Sequence, residues 1–157
     1  MLEELQLNII IGLTSKKIEQ GRADFLTFYS RATARWKKYR KRGFSIVEVP
    51  EEILDNCIRD YEESLRLKGD FAATHLLVGS LYANKGHRYF YHKDYPYVSQ
   101  RNVFKAKEYF DKAQEHLTRA KELEPRLQIY AEEELFAVRT TLSEIYEFVT
   151  GVKDFMD

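Results

Sequence analysis

An all-α fold of about six helices is what this sequence predicts. Breakers are scarce, with only three Pro and seven Gly in 157 residues, while Glu, Lys, Leu and Ala, all good helix formers, are abundant. Apolar residues recur at three- and four-residue steps over most of the chain, the spacing of one helix face. The length suits one domain with its own core and is short for two. A single helical domain over 1–157 is therefore expected, with no clear sheet.

The first helix falls at 2–20, with Leu2, Leu5, Ile9 and Leu13 at helical spacing, Lys16 and Lys17 near its end and Gly21 as its stop. A second follows, in which Phe25, Phe28, Tyr29, Ala32, Trp36 and Tyr39 make one continuous stripe. Cations crowd its last turns, where they favour the negative end of the helix dipole, and Gly43 stands ready as the residue after the cap. Phe44 to Val49 reads as extended.

Pro50-Glu51-Glu52 then opens a third helix running to about Lys68. Its buried face is expected to hold Ile53, Leu54, Cys57, Ile58, Tyr61, Leu65 and Leu67. Gly69 ends it and Asp70 caps a fourth, from Phe71 to Lys85, which Gly86 stops. His87 to Ser99 reads as an irregular aromatic loop, because Pro96 opposes a helix across it. Ser99 caps a fifth helix, Gln100 to Glu124, closed by Pro125. A sixth runs from about Leu127 to Thr150.

Formal net charge is zero, so bulk charge argues neither for nucleic acid nor for acidic substrates. The charges are unevenly placed, however. Residues 1–44 hold ten Lys/Arg against four Asp/Glu, a balance of +6, and residues 106–157 hold seven against twelve, a balance of −5. Such halves suit an anionic partner, head-to-tail self-association, or solvated faces that merely differ. The single Cys57 excludes an internal disulfide framework and fits a reducing compartment. The apolar run from Leu7 to Leu13 is too short to span a bilayer, and no basic segment precedes it as in a signal peptide. The expected location is cytoplasmic.

Small, large and turn residues recur at fixed steps from Tyr61 to Gly86 and again from Ala106 to Pro125. In this spacing the chain resembles the tetratricopeptide repeat family, whose unit is 34 residues of helix–turn–helix. With Gly79 at the small position 8, His75, Val78 and Tyr82 fall at 4, 7 and 11. Backwards, Gly69, Ser64, Tyr61 and Cys57 fall at 32, 27, 24 and 20 of the preceding unit. Forwards, Ala113, Leu117, Ala120 and Pro125 reproduce 20, 24, 27 and 32. Twenty-six residues separate Gly86 from Ala113 where the family has four, and the pattern fades upstream of Pro50. The resemblance covers 51–125 and implies antiparallel helix pairs stacked as a short superhelix. Residues 1–44 would supply N-terminal helices, and 126–151 a C-terminal cap.

The resemblance also implies partner binding on the concave side, at Ala73, Leu76, Ser80, Ala83 and Asn84. Members that clamp an acidic C-terminus carry Lys, Arg and Asn there, and only Asn84 conforms. A small, mostly apolar groove suits an apolar or helical segment instead.

Catalytic signatures are missing from the sequence: no nucleophile elbow, no phosphate-binding Gly-rich loop and no His-Glu-x-x-His pair. No enzyme activity and no cofactor is expected. His87, His92 and Asp94 could meet around a metal, but no spacing fixes their geometry, and no metal is expected. His75 and His116 read as partly buried or surface residues.

Two other constellations are candidates for binding. Tyr89, Tyr91, Tyr95 and Tyr97, with neighbouring His and Arg, form either an interface rich in hot-spot residue types or a cover for the helices. Arg31, Arg35, Lys38 and Arg42, at i, i+4, i+7 and i+11, form a basic stripe for an anion or a solvated face. The favoured expectation is a protein or peptide partner held by Leu76, Ser80, Asn84 and the loop tyrosines. Alternatives are a polyanion or RNA on the basic stripe, with steep salt dependence, and a structural homo-oligomer.

Overall fold

A computed structural model describes residues 2–41, 49–91 and 102–151. Six α-helices and one 3-10 turn make up the regular structure, with no strand among the described residues. The extended reading of 44–48, the Gly43 cap, the Ser99 cap and most of the aromatic loop lie outside them. The chain divides into two compact units, Met1–Thr74 and His75–Asp157.

The first unit holds α1 (Leu2–Glu19), α2 (Phe25–Lys41), α3 (Glu51–Leu67) and the opening turn of α4 (Ala72–Phe90). Gly21 ends α1 as expected. Its φ of 68° lets its N–H reach the carbonyl of Ile18 while that of Arg22 reaches Lys17, both at 3.0 Å. Asp24 then caps α2: its Oδ1 accepts from the Thr27 N–H at 2.9 Å, and Thr27 Oγ1 accepts from the Asp24 N–H at 3.2 Å.

Two pairs fix the antiparallel register of α2 on α3. The Ser64 hydroxyl donates to the Phe25 carbonyl at 2.9 Å, and Cys57 Sγ lies 3.6 Å from the Ala32 carbonyl. Moving forward seven residues on one helix moves back seven on the other. Ala32, Cys57 and Ser64 are all fully buried, because small side chains at the crossing let the backbones approach. Leu67, expected in this core, is 44% exposed. It occupies the final turn of α3. Phe71 instead packs on Phe25 and Tyr29, with centroids 5.2 and 5.1 Å away.

The second unit holds the rest of α4, α5 (Val103–Leu123), a 3-10 turn at Pro125–Leu127 and α6 (Gln128–Val149). The expected stop at Gly86 is not a stop, since α4 continues to Phe90 and takes His87, Arg88 and Tyr89 with it. A Cβ on Gly86 would sit 2.7 Å from the Phe110 ring of α5, and one on Gly79 would sit 2.8 Å from Leu117. Both glycines make room for a large neighbour. The roughly 1 kcal/mol a helical glycine costs is offset by that close packing.

Asn102 caps α5, its Oδ1 accepting from the Lys105 N–H at 3.1 Å. Val103, Ala106, Phe110, Ala113, Leu117 and Ala120 form the buried stripe of α5, and Ala131, Leu135, Val138, Thr141 and Ile145 that of α6. Tyr130, Tyr146 and Val149 of α6 face outward.

Candidate functional site

The seam between α4 and α5 determines which residues α4 presents elsewhere. Besides Gly79 and Gly86, it carries His75, Tyr82 and Tyr89 at seven-residue steps, which meet His116 and Tyr109 of α5. The five rings form a continuous ladder. His75 lies 5.2 Å from His116, His116 stacks on Tyr82 at 5.7 Å, Tyr82 on Tyr109 at 6.3 Å, and Tyr109 on Tyr89 at 5.6 Å. The two histidines share a hydrogen bond, Nδ1 to Nδ1, at 3.0 Å. Lysine ammoniums cover the tyrosine faces: Lys85 over Tyr109 at 4.5 Å, Lys105 over Tyr89 at 4.6 Å and Lys112 over Tyr82 at 5.4 Å. Asp111, Glu115 and Arg119 line an open cleft of about 570 Å³ beside His75 and His116.

With one side of α4 committed to that seam, Leu76, Leu77 and Ser80 face α6. Together with Tyr130, Glu133, Glu134 and Ala137 they line a cleft of about 410 Å³. The Ser80 hydroxyl donates to Glu134 Oε1 at 2.8 Å, linking the α4 and α6 sides. The cleft has an apolar interior, a phenol at one side and carboxylates along the α6 edge. Two of the predicted groove residues, Leu76 and Ser80, therefore come together. Asn84 does not join them: it is buried, and its Oδ1 accepts from Arg88 Nε at 2.9 Å.

The predicted loop tyrosines separate as well. Tyr89 is helical and belongs to the ladder, whereas Tyr91, just past α4, stacks on His87 at 5.7 Å and meets Phe90 edge-on at 4.7 Å. Tyr95 and Tyr97 lie outside the described residues, as do His92 and Asp94. His87 packs edge-on against Phe110 at 4.9 Å, and burial pushes its imidazole below the ordinary histidine range. Among the described residues, no three His, Cys, Asp or Glu side chains are grouped to hold a metal ion.

Two of the four positions of the basic stripe share a carboxylate. Arg31 makes a two-pronged ion pair with Asp60, Nε to Oδ2 at 2.7 Å and Nη2 to Oδ1 at 2.8 Å. Arg35 Nη1 reaches the same Oδ2 at 3.3 Å. Arg31 Nη1 also donates to Ser15 Oγ at 3.3 Å, so one guanidinium ties α1, α2 and α3 together. The physical reason is that Arg31 and Arg35 flank the buried Ala32, on the edge of α2 that meets Asp60 of α3 and Ser15 of α1. Lys38 is half-buried, and Arg42 lies outside the described residues.

Sequence reasoning missed the buried Asp60. Its signal was position: it stands three residues after Cys57 and four before Ser64, on the small-residue edge of α3. The ring ladder was legible too, in the seven-residue steps of 75, 82, 89 and of 109, 116. No described helix is long and apolar enough to cross a membrane. The chain matches no protein-family model, no curated protein and no solved structure compared with it.

Proposed function

We propose that this chain is a non-enzymatic interaction module, built as a short tetratricopeptide-like helical repeat, that holds a segment of another protein in the cleft between α4 and α6. The observation that carries this reading is the cleft itself, where Leu76 and Ser80 meet Tyr130 and Ala137 beside Glu133 and Glu134. An apolar floor with a carboxylate edge suits an amphipathic segment that buries aliphatic anchors and sets Lys or Arg beside them.

Helix packing supports the repeat. Ala32 with Cys57 and Ser64 in one antiparallel pair, and Gly79 against Leu117 in another, put small residues where the backbones come close. The lone buried cysteine fits a reducing, cytoplasmic setting. The polyanion alternative has less to rest on, because Arg31 and Arg35 already share the Asp60 carboxylate.

Affinity capture from the native host extract at moderate salt tests this, comparing the unaltered chain with Leu76→Glu and Tyr130→Ala. A discrete protein retained by the first and reduced about tenfold or more by both substitutions is the expected result. Capture unchanged by both removes the cleft from the argument. Recovery of nucleic acid that washes off with salt replaces this reading with the polyanion one.

A further inference from the structure

His75 of α4 and His116 of α5 come together from positions 41 residues apart, so no spacing in the chain announces the pair. Their Nδ1 atoms lie 3.0 Å from each other. Both rings border the open cleft of about 570 Å³, which the carboxylates of Asp111, Glu115 and Glu122 also line. Tyr82 stacks on His116 with the two planes 7° apart, and His75 is 9% exposed. Each imidazole is therefore held by its packing.

A hydrogen bond between two neutral imidazoles uses one proton, carried by one Nδ1 and accepted by the other. With that proton moved to the other nitrogen of its own ring, both Nδ1 atoms present lone pairs to the same small space. Two imidazole nitrogens on one metal ion, each about 2.0–2.1 Å from it, stand about 2.9 Å apart at a right angle and about 3.3 Å apart at the tetrahedral angle. The observed 3.0 Å falls in that interval. It lies near the right-angle end, the angle between neighbouring ligands of tetragonal Cu(II) or Ni(II). A modest rotation of each ring turns the two lone pairs from each other toward a common point. Among the described residues no third His, Cys, Asp or Glu joins them, so water from the cleft completes the coordination. Lys112 and Arg119 flank His116 on α5, but Lys112 lies 3.8 Å from Glu108 and Arg119 3.7 Å from Glu122. Each cation thus brings an anion with it.

We propose that His75 and His116 form a two-histidine site for a divalent late transition metal, with Cu(II) bound most tightly, in the general order of affinity for such ions. The ion replaces one hydrogen bond between α4 and α5 with two coordinate bonds, so its binding energy stabilises the packed pair of helices.

Titration of the untagged full chain with Cu(II), read by calorimetry and by electron paramagnetic resonance of the bound ion, tests the proposal. One Cu(II) per chain should bind with the signature of two coordinated imidazole nitrogens, and the melting temperature should rise with free Cu(II). Zn(II) should bind more weakly. His75→Asn and His116→Asn, each checked for fold by circular dichroism, should weaken Cu(II) binding by about tenfold or more. The resonance is read on the unaltered chain and does not depend on how well a variant folds. A chain that takes up no Cu(II) at about 100 μM overturns the proposal. So does a bound ion without nitrogen coupling, or a site that either substitution leaves at full affinity.

Discussion

Asp60 joins α3 to two arginines of α2 in the first unit. Its carboxylate is buried and receives Arg31 through both oxygens as well as Arg35. Replacing it leaves two guanidiniums facing an apolar seam without an anion. Breaking a buried pair in this way is expensive, though the partial exposure of both arginines softens the cost. Asp60→Ala is expected to lose about 2–3 kcal/mol in chemical denaturation; a loss below about 0.5 kcal/mol would mean that water replaces the carboxylate. Three residues away, Cys57 is fully buried, and burial pushes its thiol up to about 12. With almost no thiolate available, it should resist aromatic disulfide reagents in the native state and react only as the protein unfolds. Stoichiometric labelling within minutes under native conditions would contradict that.

Among the helices, α4 shows best how packing overrides local preference. Glycine is a poor helix former and a common terminator, yet Gly79 and Gly86 lie inside nineteen helical residues. Replacing either by Ala improves intrinsic propensity by about 1 kcal/mol. The same Cβ, however, would press within 2.8 Å of Leu117 or 2.7 Å of Phe110. Overpacking at a tight crossing usually outweighs propensity, so Gly79→Ala and Gly86→Ala should each destabilise by about 1–3 kcal/mol. A gain in melting temperature from Gly86→Ala would show that α5 moves aside freely. Pairing Gly79→Ala with Leu117→Ala should cost less than the two changes separately, because one relieves the other.

At the scale of the whole molecule, His87 is one contributor to the pH response of stability. Burial lowers its folded-state value, so the unfolded chain takes up a proton at higher pH than the native protein does. Its contribution to stability is complete above the ordinary histidine range, and it declines as pH falls from about 7 toward the depressed folded value. His87→Phe keeps a ring against Phe110 and removes the titration. Denaturation midpoints measured from pH 8 to 5 should therefore fall less steeply in the variant than in the unaltered chain. Equal slopes would remove His87 from the acid response. Both units are affected by pH in other ways, and only the difference in slope belongs to this residue.

The all-helical class, most helix boundaries and the small positions could be read from the chain alone, because they depend on short-range physics. Gly21 needs a positive φ, Pro125 starts a 3-10 turn, and Ala113, Leu117 and Ala120 lie on one face by spacing. Leu76 and Ser80, which line the cleft against α6, are named through the repeat resemblance and not by such physics. What the chain alone did not determine was which side of a helix a second neighbour would cover. Arg31 and Arg35 look like a solvated stripe until α3 brings Asp60 to them, Gly86 looks like a stop until Phe110 takes its space, and Asn84 looks like a groove residue until α4 turns it inward. Those outcomes required the tertiary structure, since periodicity within one helix says nothing about contacts that close only when helices distant in sequence pack together.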